Sequence, residues 1–431
     1  MDGAFLASLG LRGQSAVGIV AFMAIAWLLS ERKSTFPFIN AIAVIVLQFA
    51  IALSLLKFPP ASAALASLNG VVSALQQATT EGTKFLFGYL GQSDASQMPF
   101  DVSNPYGLFI FTFQALPLVV FISALSALLW HLGVLKWLVK GFAVALSKIL
   151  GVGGAVSLAA AANVFLGQTE APLLIRAYLE KVTRSELFII ITSGYATVAG
   201  SVIVLYATIL NKTDPSILGH IIVASIISVP AALLIGKIMV PPAPDEVSTE
   251  AGAGDSLQYQ GAMDAFMTGV TEGGKLWANI VISILAFIAL AALINIMLAA
   301  TGFEVGGAPL SLERILGWMF APLVWLAGVP WSEAIAAGEL MGIKTALNEI
   351  LAYIKLTDLP EGTLSDRSEL IMIYAMCGFA NIGSLGIVIG GLSGLVPSRR
   401  QDVIALAPRA MIGGTLATLM TGAVIGVLTA G

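Results

Sequence analysis

An amide, a hydroxyl and a carboxylate stand side by side at Gln168–Thr169–Glu170, inside a stretch that is otherwise uncharged from Gly151 to Ile175. A carboxylate at the centre of a bilayer costs about 2.5–3.5 kcal/mol on insertion scales, so Glu170 needs a reason to be there. One reason is chemistry: the group accepts hydrogen bonds from a polar solute in a cavity that excludes water. The other is a turn whose charge simply reaches water. Asn348–Glu349, in a second apolar stretch, poses the same choice. Two further polar clusters, Thr197 with Ser201 and Asn381 with Ser384, lie mid-span in glycine-flanked sequence. Such sequence suits an unwound helix whose freed carbonyls and side-chain oxygens bind an ion or a polyol. It also suits hydrogen bonding between neighbouring helices. Phe379, two residues before Asn381, offers a ring to a bound solute. Trp130, Trp137, Trp318, Trp325 and Trp331 read instead as interfacial aromatics.

The elements that carry these groups belong to a membrane protein. Of 431 residues, 58% are hydrophobic and 11% charged, and the mean hydropathy is +0.93. Soluble domains carry about 25% charged residues. A net charge of −4 makes a nucleic-acid polymer an improbable ligand. One cysteine, Cys377, and two histidines, His131 and His220, leave no basis for a disulfide, a zinc site or a histidine network. No nucleophile–base pair stands at membrane depth, so an enzyme is not expected. No organic cofactor is implied.

A bilayer core about 30 Å thick needs roughly 20 apolar residues per helix. Eight charge-free stretches approach or exceed this: Ser15–Ser30, which is marginal, then Ser34–Leu56, Val102–Leu135, Leu187–Asn211, Pro215–Gly236, Leu276–Phe303, Leu370–Ser398 and Ala410–Gly431. Arg32–Lys33, Lys136 to Lys148, Arg176 to Arg184, Lys237 and Arg399–Arg400 then fall on one side, the cytoplasmic one. Gly151–Lys181 and Trp331–Lys355 are each interrupted midway, leaving arms of about 15 residues, too short to cross. Both read as re-entrant hairpins, which need protein or a water-filled cavity around the broken backbone. Ala61–Gly91 and Ile315–Val329 read as interfacial segments, and Pro241–Ser256 as a polar linker.

The chain also repeats itself. Arg184–Ser185–Glu186–Leu187 recurs 183 positions later as Arg367–Ser368–Glu369–Leu370. Gly194–Tyr195–Ala196–Thr197–Val198 recurs as Gly378–Phe379–Ala380–Asn381–Ile382, and one hairpin precedes each copy. Three crossings between the copies make the repeats inverted, provided that Ile315–Val329 does not span. Inverted repeats with broken helices and polar midpoints mark a secondary transporter. The fold class expected is therefore all-α and integral to the membrane: eight transmembrane helices, two re-entrant hairpins, inverted repeats and interfacial helices. The divisions expected are 1–148 (scaffold spans 1–3 with an interfacial helix), 149–240 (first transport repeat), 241–330 (linker, span 6 and interfacial helices) and 331–431 (second transport repeat).

Gly167–Gln168–Thr169–Glu170–Ala171–Pro172–Leu173 resembles the concentrative nucleoside transporter family. The resemblance continues through Ala196–Thr197–Val198–Ala199–Gly200–Ser201, Leu347–Asn348–Glu349 and Cys377–Gly378–Phe379–Ala380–Asn381, and covers the chain from about Ser15. It implies a homotrimer in the plasma (cytoplasmic or inner) membrane that imports nucleosides by symport with a cation, sodium rather than a proton. Spans 1, 2, 3 and 6 would be the scaffold. Gln168, Thr169 and Glu170 would contact the base. Glu349, Asn381 and Ser384 would contact the ribose, with Phe379 close by. Asn163, Leu166, Thr197 and Val198 would hold sodium. The family pattern has Ser where Thr197 stands, and Thr keeps the hydroxyl. The alternative is a cation-coupled carrier of a dicarboxylate or an amino acid. Such substrates call for Arg or a helix N-terminus, whereas two carboxylates flank this site.

Overall fold

The structure is a computed structural model that describes residues 3–102, 108–168, 170–210, 217–243, 246, 257–305 and 308–429, with side chains from residue 10 onward except at 305 and 308. Most of the expected linker Pro241–Ser256 lies outside the described residues. The fold is built almost entirely of helices. Helix α1 (Gly3–Leu28) bends at Gly10, where φ is 67°, a left-handed value that glycine alone adopts freely. Helix α2 (Phe38–Lys57) is the second span, and α3 (Pro59–Phe87) occupies the segment expected at the interface. Short α4 (Phe111–Gln114) and α5 (Pro117–His131) make the third span. The basic Lys136–Lys148 stretch forms a separate amphipathic helix, α6 (Val134–Leu150), entered through Gly133 at φ 86°.

The first hairpin consists of α7 (Gly154–Asn163) and a single-turn α8 (Ala171–Leu174), continued by a 3-10 turn at Arg176–Tyr178. The fourth span is broken into α9 (Arg184–Ala196) and α10 (Gly200–Leu210), and α11 (Ile217–Met239) is continuous. Helix α12 (Ala262–Ala300) runs 39 residues, about 58 Å at 1.5 Å per residue. It starts well before the expected Leu276, because the charged Asp264, Glu272 and Lys275 belong to its first turns. Two strands of two residues each, Glu304–Val305 and Ala308–Pro309, pair after it. Helix α13 (Leu312–Ala327) and α14 (Trp331–Ala346) are bent by 116° at their junction. The second hairpin is α14 with α15 (Glu349–Thr357). The expected span Leu370–Ser398 is two helices, α16 (Asp366–Met376) and α17 (Ile382–Leu395), and the last span is α18 (Arg400–Leu428). Among the described residues, seven helical stretches are long and apolar enough to cross a membrane, the broken pair α9 and α10 counted as one of them; the pair α16 and α17 supplies the eighth crossing.

Hydrogen bonds at the two ends of α1 fix the direction of the repeats. Glu31, just past its C-terminal end, accepts from Arg184 (2.9 Å) and Arg409 (2.5 Å). The Arg184 guanidinium holds the Glu31 carboxyl below the usual carboxylate range. At the N-terminal end, Arg367 Nη2 donates to Leu11 O (3.0 Å), Ser15 Oγ (3.0 Å) and Gly426 O (2.7 Å), and Nη1 donates to Gly328 O. The two copies of the repeated motif thus start on opposite ends of one spanning helix. The repeats are inverted, and α13 with α14 doubles back instead of crossing.

Each copy also starts its helix by side-chain capping, which satisfies otherwise orphaned backbone N–H groups. Thr183 and Glu186 form a capping box on α9, and Ser365 caps α16. Sequence alone makes Arg367 an interfacial anchor. In the structure it is 5% exposed and ties α1, α13 and α18 together through their carbonyls.

Basic residues collect as expected from their sequence clusters. Lys237 Nζ donates to Leu150 O (2.7 Å), Arg32 to Pro242 O (3.3 Å), and Arg399 to Val182 O. These contacts lie at the Glu31 end, where the first hairpin enters. The second hairpin enters from the Arg367 end, where Glu333 on α14 accepts from Ser365 Oγ at 3.1 Å.

Candidate functional site

Each hairpin ends where a span breaks. At the first tip Gly167 adopts φ 91°, and a Cβ there would stand 2.9 Å from the Ala199 Cβ. The Gly200 N–H donates to Phe165 O at 3.2 Å, so the tip is hydrogen-bonded to the backbone that restarts span 4. Thr197 is extended (φ −122°, ψ 168°) and ends α9. The two breaks also touch. A Cβ on Gly378 would meet Tyr195 O at 2.8 Å and Ala196 C at 3.1 Å. Two regions about 180 residues apart in sequence therefore share one centre.

The second tip is organised by asparagines. Asn348 caps α15 by accepting from Leu351 N (2.9 Å), and Asn381 caps α17 by accepting from Ser384 N (2.7 Å). The Asn381 amide is thereby oriented, and its Nδ2 donates to Glu349 Oε2 at 2.8 Å. Tyr206 OH donates to Glu349 Oε1 at 2.6 Å from α10. A carboxylate offers about four acceptor positions, so capacity for a ligand hydroxyl remains. Tyr206 escapes sequence reading because it sits in an ordinary apolar run, with no polar neighbour to flag it.

Gln168, Glu170, Glu349, Phe379, Asn381 and Ser384 all line one cavity with an empty volume of about 790 Å³, its mouth included. Thr169 lies outside the described residues. The Glu170 carboxylate has no hydrogen-bond partner among the described residues, and the buried Gln168 Oε1 is likewise unpaired. Helix α12 closes the far wall with Asn279, Ser283 and Phe287, none of which sequence reading singled out. Among the described lining residues there is no Arg or Lys. Convergent carboxylates, amides and a hydroxyl on apolar walls suit a neutral, hydroxyl-rich solute with a flat ring.

Beside the first tip lies a smaller polar cluster. Asn163 Nδ2 donates to Ser193 Oγ (3.2 Å), and Thr197 Oγ1 donates to Ser193 O (2.9 Å). Ser225 Oγ faces both the carbonyl of Val198 (3.4 Å) and its N–H (3.5 Å). Asn163, Thr197 and Val198 thus come together, with Leu166 on the same tip. Asn163 Oδ1 is buried and has no hydrogen-bond partner among the described residues. An orphaned oxygen among hydroxyls and carbonyls is the donor set a hard monovalent cation takes, so the residues fit the ion. Ser193 and Ser225 were not anticipated; only the packing of α9 against α7 and α11 brings them here.

Inverted repeats, two broken spans and two hairpin tips around a polar cavity define a secondary active transporter of the multi-pass membrane class. Comparison with known proteins narrows this. Residues 17–90 and 220–426 match the N- and C-terminal parts of the Na+ dependent nucleoside transporter family, and residues 112–213 match a nucleoside recognition (Gate) family. The chain is 34% identical to the nucleoside permease NupC of Helicobacter pylori, with 96% of each chain covered. It is 37% identical to an uncharacterized transporter of Haemophilus influenzae, again over 96% of both. The solved structure of CNTnw in an inward-facing substrate-bound state superposes with a TM-score of 0.86 at 35% identity, covering 97% of each chain. The protein belongs to the concentrative nucleoside transporter family.

Proposed function

We propose that this protein imports nucleosides by symport with a cation, and that the cation is sodium rather than a proton. The observation that carries the reading is the meeting of Gln168, Glu170, Glu349 and Asn381, from both hairpins and the break of span 7, around one cavity without a basic residue among its described lining. Gln168, Thr169 and Glu170 read the base edge; Glu349, Asn381 and Ser384 hold the ribose, with Phe379 against it. Asn163, Leu166, Thr197 and Val198 hold the ion. A site built to bond hydroxyls rejects analogues that lack them, since its buried polar groups would be left unpaired. The absence of a basic residue among the described lining counts against a dicarboxylate carrier.

The family resemblance supports a homotrimer in the plasma (inner) membrane. It also supports a scaffold drawn from residues 1–148 and 241–330 around transport repeats at 149–240 and 331–431. The working motion carries the repeats across the scaffold, so that the cavity faces each side in turn. The test is uptake of radiolabelled uridine and adenosine into vesicles under separate sodium and proton gradients. Accumulation above equilibrium driven by sodium alone is expected. Accumulation driven only by protons would overturn the choice of ion, and none under either gradient would overturn coupling.

Thr197→Ala is expected to raise the sodium concentration for half-maximal uptake several-fold while leaving the preference between nucleosides unchanged. The substitution removes one oxygen from the ion cluster and none from the cavity. An unchanged sodium response, measured as uptake against sodium at fixed uridine, would remove Thr197 from the ion site.

A further inference from the structure

The two repeats are alike in sequence but differ in one buried group. By the repeat, Gly194 corresponds to Gly378, so Ser193 corresponds to Cys377. In the first repeat, the residue that reaches Ser193 from the hairpin's entering arm is Asn163 (3.2 Å), which belongs to the ion cluster. In the second repeat, the group on the entering arm within electrostatic reach of Cys377 is Lys344, on α14. Lys344 is 0% exposed and its Nζ has no hydrogen-bond partner among the described residues. An isolated buried ammonium is strongly unfavourable unless an opposite charge compensates it. The charge within its reach is Glu349, at the tip of the same hairpin. The two donors on Glu349, Tyr206 and Asn381, are both neutral. Tyr353 lies beside Tyr206, with ring centroids 4.9 Å apart and planes tilted by 50°, and Tyr206, Tyr353 and Tyr374 are the buried phenols around Cys377 and Glu349.

We propose that the Lys344 ammonium is a built-in cation of the second repeat, standing where the first repeat offers a site to the coupling ion and balancing the charge of Glu349. The first repeat gains and releases its cation with each cycle. The second carries one covalently, so Glu349 stays a carboxylate able to accept ribose hydroxyls at every stage. Lys344 does not line the cavity; it is a positioning residue that acts through Glu349. The role rests on the reading of Glu349 as a substrate-binding group, but the stability test below needs no substrate.

The experiment is a double-mutant cycle in detergent-solubilised full-length protein, read as thermal stability. Lys344→Met keeps an unbranched apolar stem as far as Cε and removes the ammonium group. If Lys344 were merely a packed stem with a stranded charge, Lys344→Met would leave Tm unchanged or raise it. With Lys344 balancing Glu349, Lys344→Met lowers Tm, and adding Glu349→Gln in that background restores much of the loss. Glu349→Gln alone also lowers Tm, because it leaves Lys344 unbalanced. Independent, additive effects of the two substitutions would overturn the proposal, as would a Tm for Lys344→Met at or above that of the unmodified protein. A parallel measurement of uridine-induced Tm shift separates the two ideas. A coupled cycle with no uridine shift in the unmodified protein keeps the charge pair and removes the substrate assignment.

Discussion

Glu349→Gln is expected to reduce initial rates of uridine and adenosine uptake by about 100-fold, with the protein still folded and inserted. Hydrogen bonds to a charged group contribute about 1.5–3 kcal/mol each, and 1.4 kcal/mol is a factor of ten in binding. A ribose hydroxyl that now meets an amide loses one such bond. The amide also introduces a donor where Tyr206 OH and Asn381 Nδ2 both donate, at 2.6 and 2.8 Å. Tyr206 can turn its hydroxyl to accept, but an amide nitrogen facing Asn381 Nδ2 gives it no acceptor, and since Asn381 is also the cap of α17 that arrangement disturbs the break of span 7. Uptake at the unmodified rate in vesicles with equal transporter content would remove Glu349 from the site. Glu170→Gln should also depress uptake strongly. Its carboxylate has no hydrogen-bond partner among the described residues, so that effect should come with little change in Tm.

Gly378→Ala should abolish uptake by a different route. The added methyl carbon would sit 2.8 Å from both Tyr195 O and Thr418 Cγ2, and 3.1 Å from Ala196 C. Two of those three atoms are backbone, so no rotamer change relieves them. Overpacking of this kind costs about 1–3 kcal/mol, and here the strain falls on the contact between the two broken spans. The breaks would be pushed apart, and the ion cluster at Thr197 and the ribose groups at Asn381 would move with them. A fall in Tm together with loss of uptake is the expected result. Gly386→Ala is the control: an added Cβ there meets nothing within 4 Å, and alanine favours the helical state over glycine by about 0.5–1 kcal/mol. If Gly378→Ala transported as well as Gly386→Ala, the two breaks would not be coupled in the working cycle.

Much of this molecule was legible from its residues. Lipid solvates no backbone and tolerates few charges, so spans, hairpins and basic clusters stand out in a single chain. That is why Gly151–Lys181 and Trp331–Lys355 read as hairpins, and why the repeat around Gly194 and Gly378 marks the breaks. Helix ends were less legible. The charge-free rule places span 6 at Leu276–Phe303, whereas α12 begins at Ala262, because a helix leaving the membrane continues through charged turns in water.

Glu170, Glu349 and Asn381 could be singled out because a polar group in lipid is costly wherever it occurs. What tertiary structure alone decided is which groups meet them. Tyr206, Ser193 and Ser225 lie in runs whose composition gives no sign of a role, and Lys344, conspicuous as a charge in an apolar arm, shows its partner only when the hairpin is folded. Arg367 looks like a surface anchor until three helices are seen to deliver carbonyls to it. The physical reason is that burial in a membrane is a property of each residue and its neighbours in the chain. Pairing depends on distances between segments far apart in sequence, and those are set only when the two inverted halves close on each other.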